Sequence, residues 1–194
     1  MTDITIRDAQ RDVRTVFRHG SIGQLVSGVI WLAAALAASA GSVRWAVLLV
    51  VVGGAFIFPL TQLGLRLLGG PHALRRDHPM NALAMQVAFT VPLVLPVAGA
   101  AALYRIEWFF PAVMVILGAH YLPFVFLYGM PSFAVLGGGL IGAGVLIALQ
   151  AGRAFALGAW VTAFALLAFG VWAALGSRAR RAVAALSALV LILP

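Results

Sequence analysis

The segment Gly118–Tyr128 carries the side chains with the clearest capacity for chemistry in this sequence. His120 lies eleven residues after Phe109, where an apolar stretch begins, and a helix would place it about 16 Å deep in a membrane, near the middle. Ionisable groups at that depth are costly and usually face the interior of a helix bundle. A neutral imidazole offers one donor and one acceptor, and Tyr121 and Tyr128 share a neighbouring stripe. These three residues predict a ligand-binding site, and proton relay and metal ligation are also open to His120. A histidine that only bonds a kinked backbone carbonyl is the structural alternative.

Three glutamines form a second polar group at a shallower level. Gln24, Gln62 and Gln86 each lie about four to six residues from the same end of an apolar stretch, which is a depth of roughly 6–9 Å. Thr61 and Asn81 lie close to this level. Because these side chains are uncharged, a cavity that they line would suit a neutral polar solute or water. Gln24, Gln62, Gln86 and Asn81 are therefore candidate binding residues, beside the alternative that the amides join helices by hydrogen bonds.

The residues needed for other kinds of chemistry are missing. The sequence has no cysteine and no lysine, which excludes disulfides, thiolate metal sites and a retinal Schiff base. No two carboxylates fall in the apolar stretches, and no metalloprotease or nucleophile motif occurs. One loop contains His72, Asp77 and His78, but their spacing matches no established ligand pattern. We predict that the protein is not an enzyme and that it holds no metal and no cofactor.

The elements that would position these residues are long apolar stretches. Of 194 residues, 63% are hydrophobic and 9% are charged, whereas soluble domains carry about 25% charged residues. Lipid must therefore be the solvent, and about 20 apolar residues cross its hydrocarbon as a helix. We predict an all-α fold, a polytopic transmembrane bundle of about six spans within residues 20–176. The predicted spans cover residues 20–41, 44–68, 80–103, 109–128, 131–150 and 154–175.

The two ends of the chain differ from the spans. Residues 1–19 predict an amphipathic interfacial helix, because four arginines fall on one side of a helix and apolar residues on the other. The four are Arg7, Arg11, Arg14 and Arg18. This helix is interpreted as a topology anchor or as a regulatory, partner-binding element. Residues 177–194 form a basic and apolar tail, which could extend the sixth span, lie in the interface or belong to a tilted seventh span.

The arginines also predict an orientation. Ten of the thirteen lie on the side of the spans that carries the N-terminus, and positive charge in short loops stays in the cytoplasm. We therefore predict a multi-pass protein of the inner (plasma) membrane with a cytoplasmic N-terminus. The net charge of +8 sits at span ends, where it attracts anionic headgroups. We expect the lipid bilayer to be the partner of these charges and expect no nucleic-acid partner.

Proline and glycine interrupt several of the predicted spans. Each proline removes the hydrogen bond to the carbonyl four residues earlier. Such broken helices often border substrate sites in transporters, and simple kinking for packing is the alternative. These prolines are Pro59, Pro92, Pro96 and Pro123. In the fifth span, Gly138 and Gly142 form a small-xxx-small pair that permits close approach of a neighbouring helix.

Four segments resemble a family of small bacterial membrane proteins of unknown function with about six predicted helices. They are Gly28–Trp31, Gly53–Pro59, Pro79–Asn81 and Gly118–Pro123, and the last of them is the most specific. The resemblance extends over roughly residues 20–150 and includes neither the basic N-terminus nor the tail. It implies the fold and names no activity.

Together these features predict a small transport or solute-binding protein with a site near His120 at the middle of the membrane. Its ligand would be a small polar solute. Two alternatives remain open: a structural or regulatory membrane subunit that acts through a protein partner, and a protein that binds lipid in a lateral cleft. Neither the substrate nor the oligomeric state follows from the sequence.

Overall fold

The computed structural model describes residues 4–69, 71–150 and 155–192, with side chains described as far as residue 177. Its helices are α1 (Ile6–Val16), α2 (Ser21–Ser39), α3 (Val43–Leu67), α4 (Asn81–Tyr104), α5 (Phe109–Tyr128), α6 (Ser132–Leu149) and α7 (Leu157–Ile192). Short 3₁₀ turns at Arg18–Gly20 and Ile106–Trp108 precede α2 and α5. Six helices are long and apolar enough to cross a membrane, and the described ranges include no strand. The protein is therefore an all-α helical bundle of about six spans, as the sequence predicts.

The last helix is longer than the predicted sixth span. α7 continues without a break to Ile192 as a helix of 36 residues, about 54 Å long at the helical rise. The part long enough and apolar enough to cross a membrane is Leu157–Ser177. The sequence allows the tail to extend the sixth span, to lie in the interface or to belong to a seventh span. In the structure it extends the sixth span. Alanine, arginine and leucine dominate after Ser177, and all three favour helix. Arg153 and the side chains of Arg178, Arg180 and Arg181 lie outside what the structure describes.

The helices α2 and α5 lie at the centre of the bundle. α2 packs against α3 and α7, and α5 packs against α4 and α6, while α7 also contacts α5 and α6. α3 and α4 occupy the two edges of the bundle, and only 11% of the most apolar segment of each is buried. In the span that contains α5, 50% of that segment is buried. Trp31 of α2 contacts Phe110 of α5, with ring centroids 5.8 Å apart. The interior that can hold a polar site is thus formed chiefly by α2, α5 and α7.

The helix α1 lies beneath the end of the bundle that carries the N-terminus. The Thr5 hydroxyl is its N-cap and accepts a hydrogen bond from the Asp8 amide at 3.2 Å. Ala9 and Val13, on its apolar side, are 1% and 0% exposed and belong to the main hydrophobic core. The helix is amphipathic, as predicted, but its apolar side is covered by the bundle rather than left to the lipid.

Polar side chains of α1 and of the turn that follows it bond to the ends of two neighbouring helices. Gln10 and Arg14 donate to carbonyl oxygens in the last turn of α5, the Gln10 bond being 2.6 Å long. Arg18 Nη2 donates to the carbonyl oxygens of Leu68 and Gly69, just after α3, at 2.8 and 3.0 Å. The last carbonyls of a helix lack internal donors, and a guanidinium also complements the negative end of the helix dipole. α1 therefore holds the ends of α3 and α5 in place.

Glycines allow α5 and α6 to approach closely. A Cβ atom at Gly118 would lie 2.5 Å from the carbonyl oxygen of Gly137, and one at Gly144 would lie 2.9 Å from a backbone oxygen of α5. Gly138 and Gly142, the pair expected from the sequence, have no atom within 4 Å of such a Cβ position. Gly137 and Gly144 are two helical turns apart and so share the face that meets α5. The close approach therefore uses a different set of glycines from the predicted pair.

We expect Gly118→Val to force α5 and α6 apart and to lower the free energy of unfolding by about 1–3 kcal/mol, because overpacking has this cost. The matched control is Gly142→Val, where the same added atoms meet open space. Thermal unfolding of the two purified variants in detergent measures the difference. Equal melting temperatures would contradict the close contact between α5 and α6.

Candidate functional site

The helix α2 carries a row of buried polar side chains. Ser21, Gln24 and Ser27 are spaced three residues apart, so they share one face of the helix, and they are 1%, 4% and 5% exposed. Polar groups in hydrocarbon are costly without partners, which is why this face turns away from lipid. The Ser21 hydroxyl donates to the carbonyl oxygen of Arg18 at 2.8 Å. The row therefore runs from the α1 end about 9 Å into the bundle.

Gln24 and Tyr121 meet between α2 and α5. The Gln24 side chain lies beside the Tyr121 hydroxyl, and Tyr121 is 3% exposed. The Oε1 atom of Gln24 is buried and has no hydrogen-bond partner among the described residues. An unsatisfied buried acceptor costs about 1–3 kcal/mol. The pair thus presents one free acceptor, which suits a hydroxyl or an N–H of a ligand.

Thr61 and Gln62 occupy consecutive positions on the edge helix α3. Thr61 lies against α2, with its Oγ1 3.7 Å from the place of a Cβ at Gly23, and within the described ranges this oxygen has no hydrogen-bond partner. Gln62 is partly buried, and its side chain makes no described hydrogen bond to Gln24. Thr61, rather than Gln62, is therefore the α3 side chain that faces the polar row. A role of Gln62 in binding stays a prediction.

Gln86 and Asn81 lie on α4, at the opposite edge of the bundle. Gln86 is exposed, and its backbone carbonyl accepts a hydrogen bond from the Thr90 hydroxyl at 3.2 Å. Asn81 Nδ2 donates to the carbonyl oxygens of Arg75 and Arg76 at 2.7 and 3.1 Å, so this amide closes the loop before α4. The structure does not bring the predicted amides into one group, because an equal depth in the membrane does not imply a shared face. Ligand binding by these two residues stays a prediction.

His120 faces α4 rather than α2. Its imidazole lies beside the backbone of Val87, while Nδ1 is buried and lacks a partner within the described chain. The ring centroid lies 5.4 Å from that of Tyr121 and 5.0 Å from that of Phe124. The carbonyl that Pro92 leaves without its helix donor is that of Ala88, not that of Val87, and one ring nitrogen of His120 is available. His120 and Tyr121 are consecutive residues, so they lie on neighbouring faces of α5.

An aromatic cluster extends from His120 to the α1 end of the bundle. The ring of Phe124 lies 5.4 Å from that of Tyr128, which lies 5.1 Å from that of Phe133. Tyr128 is 7% exposed, and Arg14 of α1 donates to its carbonyl oxygen. The interior beside α5 is thus closed below Tyr128 by α1.

The loop between α3 and α4 also contacts α1. His78 is 6% exposed, and its Nε2 lies 3.6 Å from Oδ2 of Asp12, while its Nδ1 accepts from the Met80 amide at 3.2 Å. Asp77 pairs instead with Arg75 at 3.3 Å. Sequence reasoning missed the contact between Asp12 and His78, because no local pattern relates two residues so far apart in the chain. With it, α1 reaches the ends of α3, α4 and α5.

A cavity of about 580 Å³ opens between α6 and α7, and none of the predicted binding residues lines it. Gln24, Tyr121 and Tyr128 are instead enclosed by the helices around them.

The fold and these contacts define a class: an all-α, multi-span membrane protein with a buried polar row that an amphipathic helix closes at one end. The chain belongs to the Family of unknown function (DUF7010), whose profile matches residues 6–175. The match covers α1 and all six spans, and so extends beyond the residues 20–150 over which the sequence shows its resemblance. No curated protein and no solved structure matches the chain.

We expect Tyr121→Phe to lower the free energy of unfolding by about 1–3 kcal/mol, because it leaves both polar groups of the Gln24 amide buried without a partner. The double variant Gln24→Leu, Tyr121→Phe should recover most of that loss, since replacing both partners by apolar groups is nearly neutral. Unfolding of the single and double variants in mixed micelles gives the coupling energy. Strictly additive losses would contradict a direct bond between the two side chains.

Proposed function

We propose that this protein binds a small uncharged polar solute within the membrane and carries it across, through a site centred on Gln24 and Tyr121 and flanked by His120. The observation that carries the proposal is the buried Oε1 of Gln24, which has no partner among the described residues. A glutamine that only joined two helices would use its acceptor as well as its donors. Here Tyr121 lies beside the amide, and the Oε1 acceptor is left for a ligand.

The chemistry of the interior favours a neutral solute. An ion in hydrocarbon needs a compensating charge close to it. The buried polar side chains of the described spans carry hydroxyl or amide groups, apart from the indole of Trp31. They are Ser21, Gln24, Ser27, Tyr121, Tyr128, Thr162 and Ser177. A solute with several hydroxyl or amide groups fits this set. Each hydrogen bond that the solute loses to water when it enters can be replaced by one to these side chains.

We further propose that α1 is the gate of this site on the cytoplasmic side. The arginine distribution supports a cytoplasmic α1 at the plasma membrane, and α1 closes the interior below Tyr128. The turn between α1 and α2 holds Arg18, His19 and Gly20 at φ values of 48°, 60° and 78°. Left-handed backbone is costly for residues other than glycine, so undocking of α1 would relieve part of this cost.

The solute proposal is preferred to a subunit that acts through a partner. That alternative rests on α1 as a docking helix, and Ala9 and Val13 on its apolar side already pack against the chain's own core. The remaining side of α1 is basic and exposed, which suits headgroups. A role as a partner-dependent subunit stays a prediction from the sequence.

The proposal is tested by solute flux in proteoliposomes. We expect vesicles that contain the protein to swell faster than empty vesicles in stopped-flow measurements with glycerol, urea or ribose as the probe. Gln24→Leu should abolish at least about nine-tenths of this flux, because the loss of one hydrogen bond worth about 1.4 kcal/mol weakens binding of the solute tenfold. Gln150→Leu, a change of the same type at an exposed glutamine that follows α6, should leave it unchanged. Identical rates for empty and protein-containing vesicles with every probe would refute transport of this class of solute.

The gate is tested in the same assay. Arg18→Ala removes two hydrogen bonds that hold α1 to the end of α3. We expect the flux to rise roughly fivefold for each kcal/mol of net docking free energy that α1 loses. Arg7→Ala removes an exposed arginine from the same helix and should have no effect. A flux that falls or stays constant in Arg18→Ala would show that α1 is not the barrier.

A further inference from the structure

The helix α4 carries an amide on the outside of the bundle. Gln86 is exposed, and no described residue bonds its side chain, since the Thr90 hydroxyl bonds its backbone carbonyl. α4 has 24 residues and is about 36 Å long. Gln86, about 7.5 Å from its start, therefore lies within the roughly 30 Å of hydrocarbon. Hydrocarbon offers no hydrogen bond to an amide, so this side chain indicates a partner outside the chain.

Gln86 differs in this respect from the other polar residues of the spans. Beyond the first and last turn of each span in the described ranges, it is the one exposed side chain with an amide or a hydroxyl. The edge helix α3 is buried as little as α4, yet its Thr61 and Gln62 are partly buried. An apolar face needs no protein partner, because lipid solvates it as well as another helix would. The glutamine therefore distinguishes the exposed face of α4 from the others.

Gln86 belongs to a row of exposed residues along α4, which we call the α4 stripe. Its members are spaced alternately four and three residues apart, and Phe89 and Leu93 among them are 55% and 75% exposed. They are Ala82, Gln86, Phe89, Leu93, Pro96 and Ala100. This spacing is the one by which two helices pack side by side along their length. A single polar residue in such a seam fixes its register and the number of helices.

A second copy of this chain supplies the partner that Gln86 lacks. Every copy of an oriented membrane protein crosses the bilayer in the same direction. The two-fold axis of a dimer then lies along the membrane normal, and equivalent residues meet at equal depth. An amide has both donors and an acceptor, so two glutamines at one depth can satisfy each other. We propose that the protein forms a homodimer through the α4 stripe, in which the Gln86 amides of the two copies bond to each other.

This dimer leaves the interior of each bundle as it is. At 100° per residue, Val87 and Ala98 lie roughly 140–160° around the helix from Ala82, and they are 3% and 0% exposed. Val87 lies beside His120 of α5. The side of α4 that packs against α5 is therefore nearly opposite the α4 stripe.

Disulfide formation between copies tests the contact, because the sequence has no cysteine of its own. Ala82→Cys and Leu93→Cys place single thiols in the α4 stripe on either side of Gln86. We expect oxidation with copper phenanthroline to convert both full-length variants to covalent dimers in dilute vesicles of phosphatidylcholine and phosphatidylglycerol. Ala88→Cys is the matched control. Ala88 is an exposed residue of α4 at an intermediate depth, but it lies about 120–140° around the helix from the other two, so it should stay monomeric.

Equal crosslinking of the three variants would show random collision, and no crosslinking of any of them would show that the copies do not meet at α4. Either result would overturn the proposal. In the second case, lipid or a different membrane protein covers the α4 stripe.

The amide pair is tested by energy transfer between copies at decreasing protein-to-lipid ratios. The chain has no lysine, so amine-reactive donor and acceptor dyes label its N-terminal amine. We expect Gln86→Leu to raise the dissociation constant of the dimer by roughly three- to thirtyfold, the contribution of an amide hydrogen bond between helices in lipid. Because the Gln86 side chain has no bond within the described chain, this change should leave the fold intact.

Two controls accompany this measurement. Gln150→Leu makes the same change at an exposed glutamine outside the spans and should leave the dissociation constant unchanged. Gln24→Leu should also leave it unchanged, which separates the dimer contact from the solute site. An unchanged dissociation constant in Gln86→Leu would overturn the amide pair.

Discussion

Most other features of the molecule depend on hydrogen bonds that α1, and the turn after it, donate to carbonyl oxygens at the ends of α3 and α5. Gln10, Arg14 and Arg18 supply donors to carbonyls that a helix end cannot satisfy by itself. These bonds place α1 under the bundle, where its apolar side, including Val13, becomes part of the core. The interior then closes at the point where the polar row of α2 begins. A helix suited to the membrane surface thereby covers one end of the buried polar row.

The absence of water in hydrocarbon explains the arrangement inside the bundle. Each polar side chain on a span must turn toward protein and find a partner there. Gln24 and Tyr121 lie beside each other, and His120 lies beside the backbone of α4. Several buried atoms of the spans remain without partners among the described residues, including the Oε1 of Gln24, the Nδ1 of His120 and the Oγ1 of Thr61. Because these atoms are costly in a purely structural role, they support the proposal of a solute site.

The helix α6 has glycine on two of its faces, with opposite consequences. Gly137 and Gly144 bring it against α5 at backbone distance, whereas Gly139 leaves space on the side of α7. In water such an open apolar face would be destabilising. In a membrane it costs little, because lipid chains solvate it as well as another helix would. Tight packing on one side of α6 and a lipid-facing groove on the other are therefore compatible.

The sequence by itself determined the number of spans, their positions to within a few residues and the amphipathic character of α1. These properties depend on local composition, since about 20 apolar residues in a row suffice to cross hydrocarbon. It also predicted a depth in the membrane for Gln24, Gln62, Gln86 and His120. Only the tertiary structure decided which way each of these side chains faces, and it separated Gln86 from Gln24 and joined Gln24 to Tyr121. Depth follows from counting residues along one helix, whereas the direction of a side chain depends on which neighbouring helix packs against that face.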